Sequence, residues 1–442
     1  MPDRQPATDQ RLSEPVGFDL FFRTFGKIGL LSFGGPAGQI ALMHRILVDE
    51  RRWLGERQFL HALNFCMLLP GPEAMQLAAY AGWLMNGVRG GIIAGLLFIL
   101  PGAAVLIALS LLYAVFGELP LVIGLLFGLK AAVLAIVVQA LSKVAKRALS
   151  GTGSLLLAIA AFVGLAVFSV PFPLIVLLAM LIGIAVPSQF VKLGMADASP
   201  GLAQMPIANR HLLSMTAWTL VLWVLPLVGL VHFLGGDSVY TKEGLFFSKA
   251  AIVTFGGAYA VLTYAGQQAV ETLNWLQPGE MLTGLGLAET TPGPLILVLV
   301  FIGFLAGFRY GNFADPVVGG LLGAIITLWF TFVPCFLWVF GGAPYMEKLS
   351  GSPIASGALA AVTAAVVGVI ANLSLWFGLH VLFRETTIID LGPASMAIPV
   401  LESFDWRAGM IGLGAGLLIW RGAGLITVLS LCIAVGIAVG TQ

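Results

Sequence analysis

The sequence predicts an all-α, polytopic integral membrane bundle built from two inverted-topology repeats, with broken or re-entrant helices at its centre. Three observations lead there. Apolar residues make up 59% of the 442 and charged residues 10%, with a mean hydropathy of +0.99, whereas soluble domains carry roughly 45–50% and about 25%. Long apolar stretches recur without alternation, which predicts spanning helices and not barrel strands. One pair of glycine–proline breaks occurs twice, at the same spacing. This composition excludes a soluble enzyme, a disordered chain and a secreted disulfide scaffold. A net charge of +1 and the lack of a basic arm offer nothing to nucleic acid.

Taken in order, residues 1–17 mix Asp3, Arg4, Asp9, Arg11 and Glu14 with three prolines and read as a cytosolic tail. Apolar stretches of roughly span length follow at 92–116, 120–142, 153–170, 172–187, 212–234, 315–340 and 355–383. The tail 409–440 is split at Trp420-Arg421-Gly422, which predicts two short helices. Residues 26–43 are broken by Phe33-Gly34-Gly35-Pro36, and residues 59–85 by Pro70-Gly71-Pro72. Such breaks free backbone groups that must find partners inside the protein or in a lined cavity.

Both breaks recur, as Phe255-Gly256-Gly257 and Pro292-Gly293-Pro294. Phe33 to Gly71 is 38 residues, as is Phe255 to Gly293. A shift of 222 also aligns Phe25 with Phe247, Lys27 with Lys249, Trp53 with Trp275 and Pro70 with Pro292. The pattern is an internal duplication: a first repeat over 18–190, a polar cytosolic linker over 191–211 and a second repeat over 212–442.

Charge orients the halves. The loop 44–58 carries Arg45, Arg51, Arg52 and Arg57, whereas its counterpart 266–280 has no Lys or Arg but holds Glu271 and Glu280. The positive-inside rule puts the first in the cytosol and the second opposite. With Lys143, Lys146 and Arg147 also cytosolic, 59–85 is a re-entrant hairpin hinged at its PGP. Inverted repeats with broken central helices are a pattern of secondary transporters.

Several residues carry this chemistry. Amides of Gly34, Gly35, Gly256 and Gly257, and of Gly71 and Gly293, lie at half-helix ends that favour an oxyanion; close helix packing is the alternative use of such glycines. Lys27 and Lys249 are either a symmetric cation pair for the anion or lysines snorkelling to opposite interfaces. Gln76, one turn after Pro72, and Thr290 and Thr291 beside the second PGP are lining candidates. Glu73 and Glu289 flank the PGP turns and are candidates for carrying a proton, with helix capping the alternative for Glu73. Lys130 is an unpaired mid-span lysine.

Phe33-Gly34-Gly35-Pro36, Glu50-Arg51-Arg52-Trp53, Leu69-Pro70-Gly71-Pro72 with Gln76-Leu77-Ala78, and Thr291-Pro292-Gly293-Pro294 together resemble the chromate ion transporter family in its long, two-domain form. The resemblance covers about 18–440. It implies export of chromate from the bacterial cytoplasm across the inner membrane, by secondary transport driven by the proton motive force, with sulfate as chemical mimic. Expected partners are chromate or sulfate, protons and the lipid bilayer, with a homodimer left open. A sulfate importer or exchanger on the same scaffold, or an anion channel, are the rival readings. No cofactor or metal is expected, since no two histidines stand at i, i+4 and the three cysteines are far apart. The chain lacks GxxxxGK[ST] and GxSxG motifs, so neither ATP-driven pumping nor enzymatic chemistry is expected.

Overall fold

The computed structural model describes residues 16–190, 209–255, 258–342, 352–390, 392 and 395–440. Most of the expected N-terminal tail and linker, and Gly256 and Gly257, lie outside them. Among the described residues the fold is sixteen α-helices and one small hairpin, β1 (Thr386–Asp390) with β2 (Ser395–Pro399). The hairpin falls in 384–408, a stretch of mixed charge between the apolar segments 355–383 and 409–440.

The first elements are α1 (Phe18–Leu31), α2 (Gly35–His44), a π-turn over 45–50, α3 (Glu56–Leu68) and α4 (Glu73–Phe116). The two expected breaks separate α1 from α2 and α3 from α4. Helix α4 is not one rod, because Asn86 and Gly87 leave helical geometry, Gly87 with φ +61°. A Cβ on Gly82 would stand 2.6 Å from that of Ala94, although twelve residues of straight helix span about 18 Å. The arm 73–85 therefore turns back on 88–116.

Next come α5 (Pro120–Ala148), α6 (Thr152–Ala166), α7 (Phe172–Ala185) and α8 (Asn209–Leu234). Helices α6 and α7, with 15 and 14 residues, are shorter than the spans expected at 153–170 and 172–187. At 1.5 Å per residue each covers about 22 Å, less than a bilayer core. Chain geometry ends α6 early, through Val167 and the positive φ of Ser169 before Pro171, and α7 ends at its C-cap Val186, before Pro187.

The remainder runs α9 (Val239–Val253), α10 (Ala258–Gln267), a π-turn over 268–272, α11 (Pro278–Thr290), α12 (Val298–Tyr310), α13 (Pro316–Gly342), α14 (Pro353–Leu382), α15 (Trp406–Trp420) and α16 (Leu425–Gly440). The split at Trp420 is as expected, with Gly422 at φ +82°. Five helices are long and apolar enough to cross a bilayer: α4, α5, α8, α13 and α14. Along α8 no residue of the apolar window is buried, a surface that suits lipid and not water. The chain is a multi-pass membrane protein.

The duplication is visible bond by bond at the offset of 222. Trp53 N–H donates to the Leu47 carbonyl and Trp275 N–H to that of Ala269, both at 2.8 Å. Arg52 and Asn274 hold positive φ, 53° and 52°. Gly55 N–H donates to the Gln58 side chain at 3.1 Å and Gln277 N–H to Glu280 at 2.8 Å. Tertiary packing crosses between the halves: α5 packs against α15 and α16, and α14 against α6 and α7.

The PGP segments are hairpin tips. Below the second tip, Arg309 of α12 grips Glu280 of α11 through two hydrogen bonds, of 2.7 and 2.5 Å, and Tyr113 adds a third at 2.8 Å. Ends so far apart in sequence meet only if α11 and α12 run back alongside each other. In the first half, the Phe65 and Tyr80 rings meet at 5.4 Å in the same manner. Arg309, which follows the second PGP in sequence, is thus an internal clamp.

Gly307 faces the Gly319 carbonyl where α12 turns into α13, with no room for a Cβ. Gly307→Leu is expected to destabilise the protein by about 3 kcal/mol or more through overpacking, read as a lower unfolding temperature in detergent. An unchanged temperature would contradict this close approach.

Candidate functional site

The tips of one repeat meet the tips of the other. Gly71 N–H donates to the Thr254 carbonyl at 2.7 Å, and Gly293 N–H donates to the Ser32 carbonyl at 2.9 Å. These bonds are the same bond, since Ser32 and Thr254, like Gly71 and Gly293, are 222 residues apart. Ser32 and Thr254 each end a helix and turn their hydroxyls back onto Ile28 and Ala250, both at 2.5 Å, so carbonyls exposed by the helix end are satisfied. Gly71 and Gly293 hold φ of 126° and 93°, a backbone that suits glycine. A Cβ on Gly71 would also stand 2.8 Å from Gln76 Nε2 and 3.0 Å from Cys335 Sγ.

Two glutamines brace these crossings. Gln39 Nε2 donates to the Gly293 carbonyl at 2.6 Å and lies 3.4 Å from that of Ser32. Gln76 Nε2 donates to the Pro70 carbonyl at 2.8 Å. Both side chains are buried, and Oε1 of each lacks a hydrogen-bond partner.

The other expected residues spread around this frame. Gly34 and Gly35 open α2 with φ of 88° and 71°, and nothing lies within 4 Å of where their Cβ atoms would be. Their amides sit at the N-terminus of a ten-residue helix, Gly34 exposed and Gly35 half-buried, where the helix dipole is positive. The Gly71 and Gly293 amides are engaged across the repeats in this arrangement. Lys27 and Lys249 are exposed and do not join the buried crossing; Lys249 Nζ lies 5.9 Å from the Tyr264 ring. Lys27 shares the exposed stripe of Leu30 and Leu31, about 7 Å of helix below the Ser32 tip.

Thr290 and Thr291 donate their hydroxyls to Leu287 and Ala288 at 2.7 and 2.9 Å. Each hydroxyl has one proton to give, so both present lone pairs beyond that bond. Glu289 is buried and accepts from the Tyr259 hydroxyl at 2.9 Å. Glu73 is half-buried in the first turn of α4, where a carboxylate complements the helix dipole. Lys130 reaches the start of α11, its Nζ 3.1 Å from where a Gly279 Cβ would be. Among the described residues, no group of three or more His, Cys, Asp or Glu could hold a metal.

Ser32, Thr254, Tyr259 and Gln39 were not singled out in the sequence. The available signal was a hydroxyl residue directly before Phe-Gly-Gly in both repeats.

The sequence matches the chromate transporter family over residues 20–184 and 242–439. It is 29% identical over 435 residues to a chromate transport protein of Pseudomonas aeruginosa, covering 94% of each chain. It is 28% identical over 380 residues to a chromate transport protein of Cupriavidus metallidurans, covering 85% of this chain and 84% of that one. An uncharacterized transporter of Methanocaldococcus jannaschii is 24% identical over 373 residues, covering 84% and 87%. No solved structure matches the chain.

Gln39→Leu removes the brace on the Gly293 carbonyl at nearly constant volume. It is expected to cost about 1–2 kcal/mol, read as a lower unfolding temperature in detergent. A variant as stable as the parent would show that the second tip does not depend on this amide.

Proposed function

Because this chain belongs to the chromate transporter family, we propose that it is a secondary transporter exporting chromate, or a related tetrahedral oxyanion, from the bacterial cytoplasm across the inner membrane, driven by the proton motive force. The observation that carries the mechanism is the reciprocal crossing, Gly71 on Thr254 and Gly293 on Ser32. It ties four broken segments into one hinge between repeats, as alternating access requires.

The two halves of the chain are inverted repeats in this reading. Segments 234–242, 272–275 and 310–313 line one surface cavity, so the flanks of the α9–α10 and α11–α12 hairpins lie together on one side. Helix α8 precedes the second set of matched elements and supplies the odd crossing that flips it. Glu50→Cys and Thr272→Cys, in an otherwise cysteine-free chain, are expected to label from opposite faces of intact cells. Labelling from the same face would end the inverted reading.

The anion enters past the 44–58 loop, where Arg51, Arg52 and Arg57 are exposed and draw dianions to the entrance. It binds at the open amides of Gly34 and Gly35, and at Gly256 and Gly257 in the second repeat. Lys27 and Lys249 add positive charge alongside, and Gln76, Thr290 and Thr291 line the tips. Movement of the halves releases the Gly71 and Gly293 amides to the anion as the cross-repeat bonds open. Glu73 and Glu289 beside the tips repel a dianion when ionised and tolerate it when protonated, which couples anion to proton. A small fixed dipole array suits a tetrahedral dianion, which has no apolar part for a pocket to grip.

Labelled chromate uptake into inverted inner-membrane vesicles tests the reading. Uptake should need a proton gradient, collapse with an uncoupler and fall under excess sulfate. Absence of chromate uptake, with sulfate movement in right-side-out vesicles, would make the protein a sulfate importer instead.

A further inference from the structure

Glu243, in the second turn of α9, is 0% exposed, and neither Oε1 nor Oε2 has a hydrogen-bond partner. The space for the carboxyl comes from glycine: a Cβ on Gly323 of α13 would stand 3.0 Å from Oε1. The nearby Thr327 hydroxyl is committed to the Gly323 carbonyl at 2.9 Å. An isolated ionised carboxylate in apolar surroundings costs far more than the neutral acid.

Among the described residues, the groups on the elements around it offer no counter-charge. Lys242 is exposed and pairs with Asp237 at 3.5 Å. Arg309 of α12 is committed to Glu280, and the Tyr310 hydroxyl to the Asn274 carbonyl. Asp315, before α13, is exposed and accepts from Val317 N–H. His232 of α8 is exposed and packs on Phe233. On α10, Tyr259 serves Glu289 and Tyr264 stacks on Phe172. The Tyr240 hydroxyl donates to the Gly311 and Gly319 carbonyls, at 3.4 and 3.3 Å.

The duplication shows that the scaffold does not require a carboxyl here. The position 222 residues earlier is Phe21, fully buried, and that matching Tyr240 is Phe18. In the second repeat alone, an apolar pair has become phenol and carboxyl. Tyr240 lies three residues before Glu243, on the same helix face. It also lines the surface cavity of about 770 Å³, with Lys242, Trp275, Tyr310 and Asn312.

We propose that Glu243 is a proton-binding site of the second repeat, loaded from this cavity past Tyr240. A hydronium ion that passes the Tyr240 ring from the cavity gives its proton to the Glu243 carboxylate. The hydronium becomes water and the carboxylate becomes a carboxylic acid. Helix α9 then links proton to anion: from Glu243 it runs about 15 Å to Val253, next to the Thr254 carbonyl that holds Gly71. Protonated, Glu243 lets α9 seat against Gly323; ionised, it must leave that contact for water and draws the Thr254 tip with it. This coupling role rests on the transport reading above.

The test uses the full chain in proteoliposomes. Glu243→Gln, which keeps the shape and cannot ionise, is expected to lose gradient-driven chromate uptake by more than about tenfold, while chromate–chromate exchange at equal pH persists. Gradient-driven uptake at the parent rate would overturn the proposal. A second measurement needs no variant: a hydrophobic carbodiimide, which modifies protonated carboxyls, should yield a Glu243 adduct by peptide mapping that declines as pH rises. Absence of that adduct at every pH would also overturn it. A parent protein that ignores the pH gradient would instead refute proton-driven export, with the adduct still deciding the proton site.

Discussion

A helix broken inside a bilayer releases amides and carbonyls that water cannot reach, and each must find a partner within the protein. Here each repeat's broken PGP tip is closed by the FGG segment of the other, through Gly71 on Thr254 and Gly293 on Ser32. Neither repeat can satisfy its own breaks by these bonds, so the halves depend on each other. Packing reinforces the exchange, since the last two helices of each half pack against the long helix that follows the α4 or α13 arm of the other. The consequence is a centre held by a few directional bonds inside a periphery of broad apolar contact. Directional bonds have discrete broken and formed states, and packed interfaces likewise switch between arrangements and do not deform continuously. Such a centre is suited to switch.

On this symmetric scaffold the chemistry is asymmetric. The Gln58 position of the first repeat becomes Glu280, clamped by Arg309 and Tyr113. Phe21 becomes Glu243, and Ala37 becomes Tyr259, which holds Glu289. The second repeat has gained ionisable groups, and the first keeps the exposed arginine loop and the open α2 terminus. The Arg309–Glu280 clamp has no counterpart in the first repeat, where the matching positions are Gly87 and Gln58.

Much of this was legible in the chain because its causes are local. Apolar runs gave the spans, Gly and Pro gave the breaks, and the 222-residue offset gave the repeat. The two tail helices end where Trp420-Arg421-Gly422 says they should. The hairpin 386–399 was hidden, since two five-residue strands in a charged stretch carry too little pattern. The lengths of α6 and α7 were overestimated because apolar flanks at Phe168 and Val186 extend hydropathy beyond the helix.

The sequence by itself determined the class, the helices, the duplication and the list of unusual residues, since each depends on composition or on near neighbours along the chain. Only the tertiary structure decided which of those residues meet. It put the Thr290 and Thr291 hydroxyls on their own helix, turned Lys27 and Lys249 outward, gave Gln39 to the far repeat and left Glu243 alone beside Gly323. Those outcomes turn on contacts between residues that the chain separates by up to 254 positions. Periodicity tells which face of a helix is apolar, but not which helix, from which repeat, will lie against it.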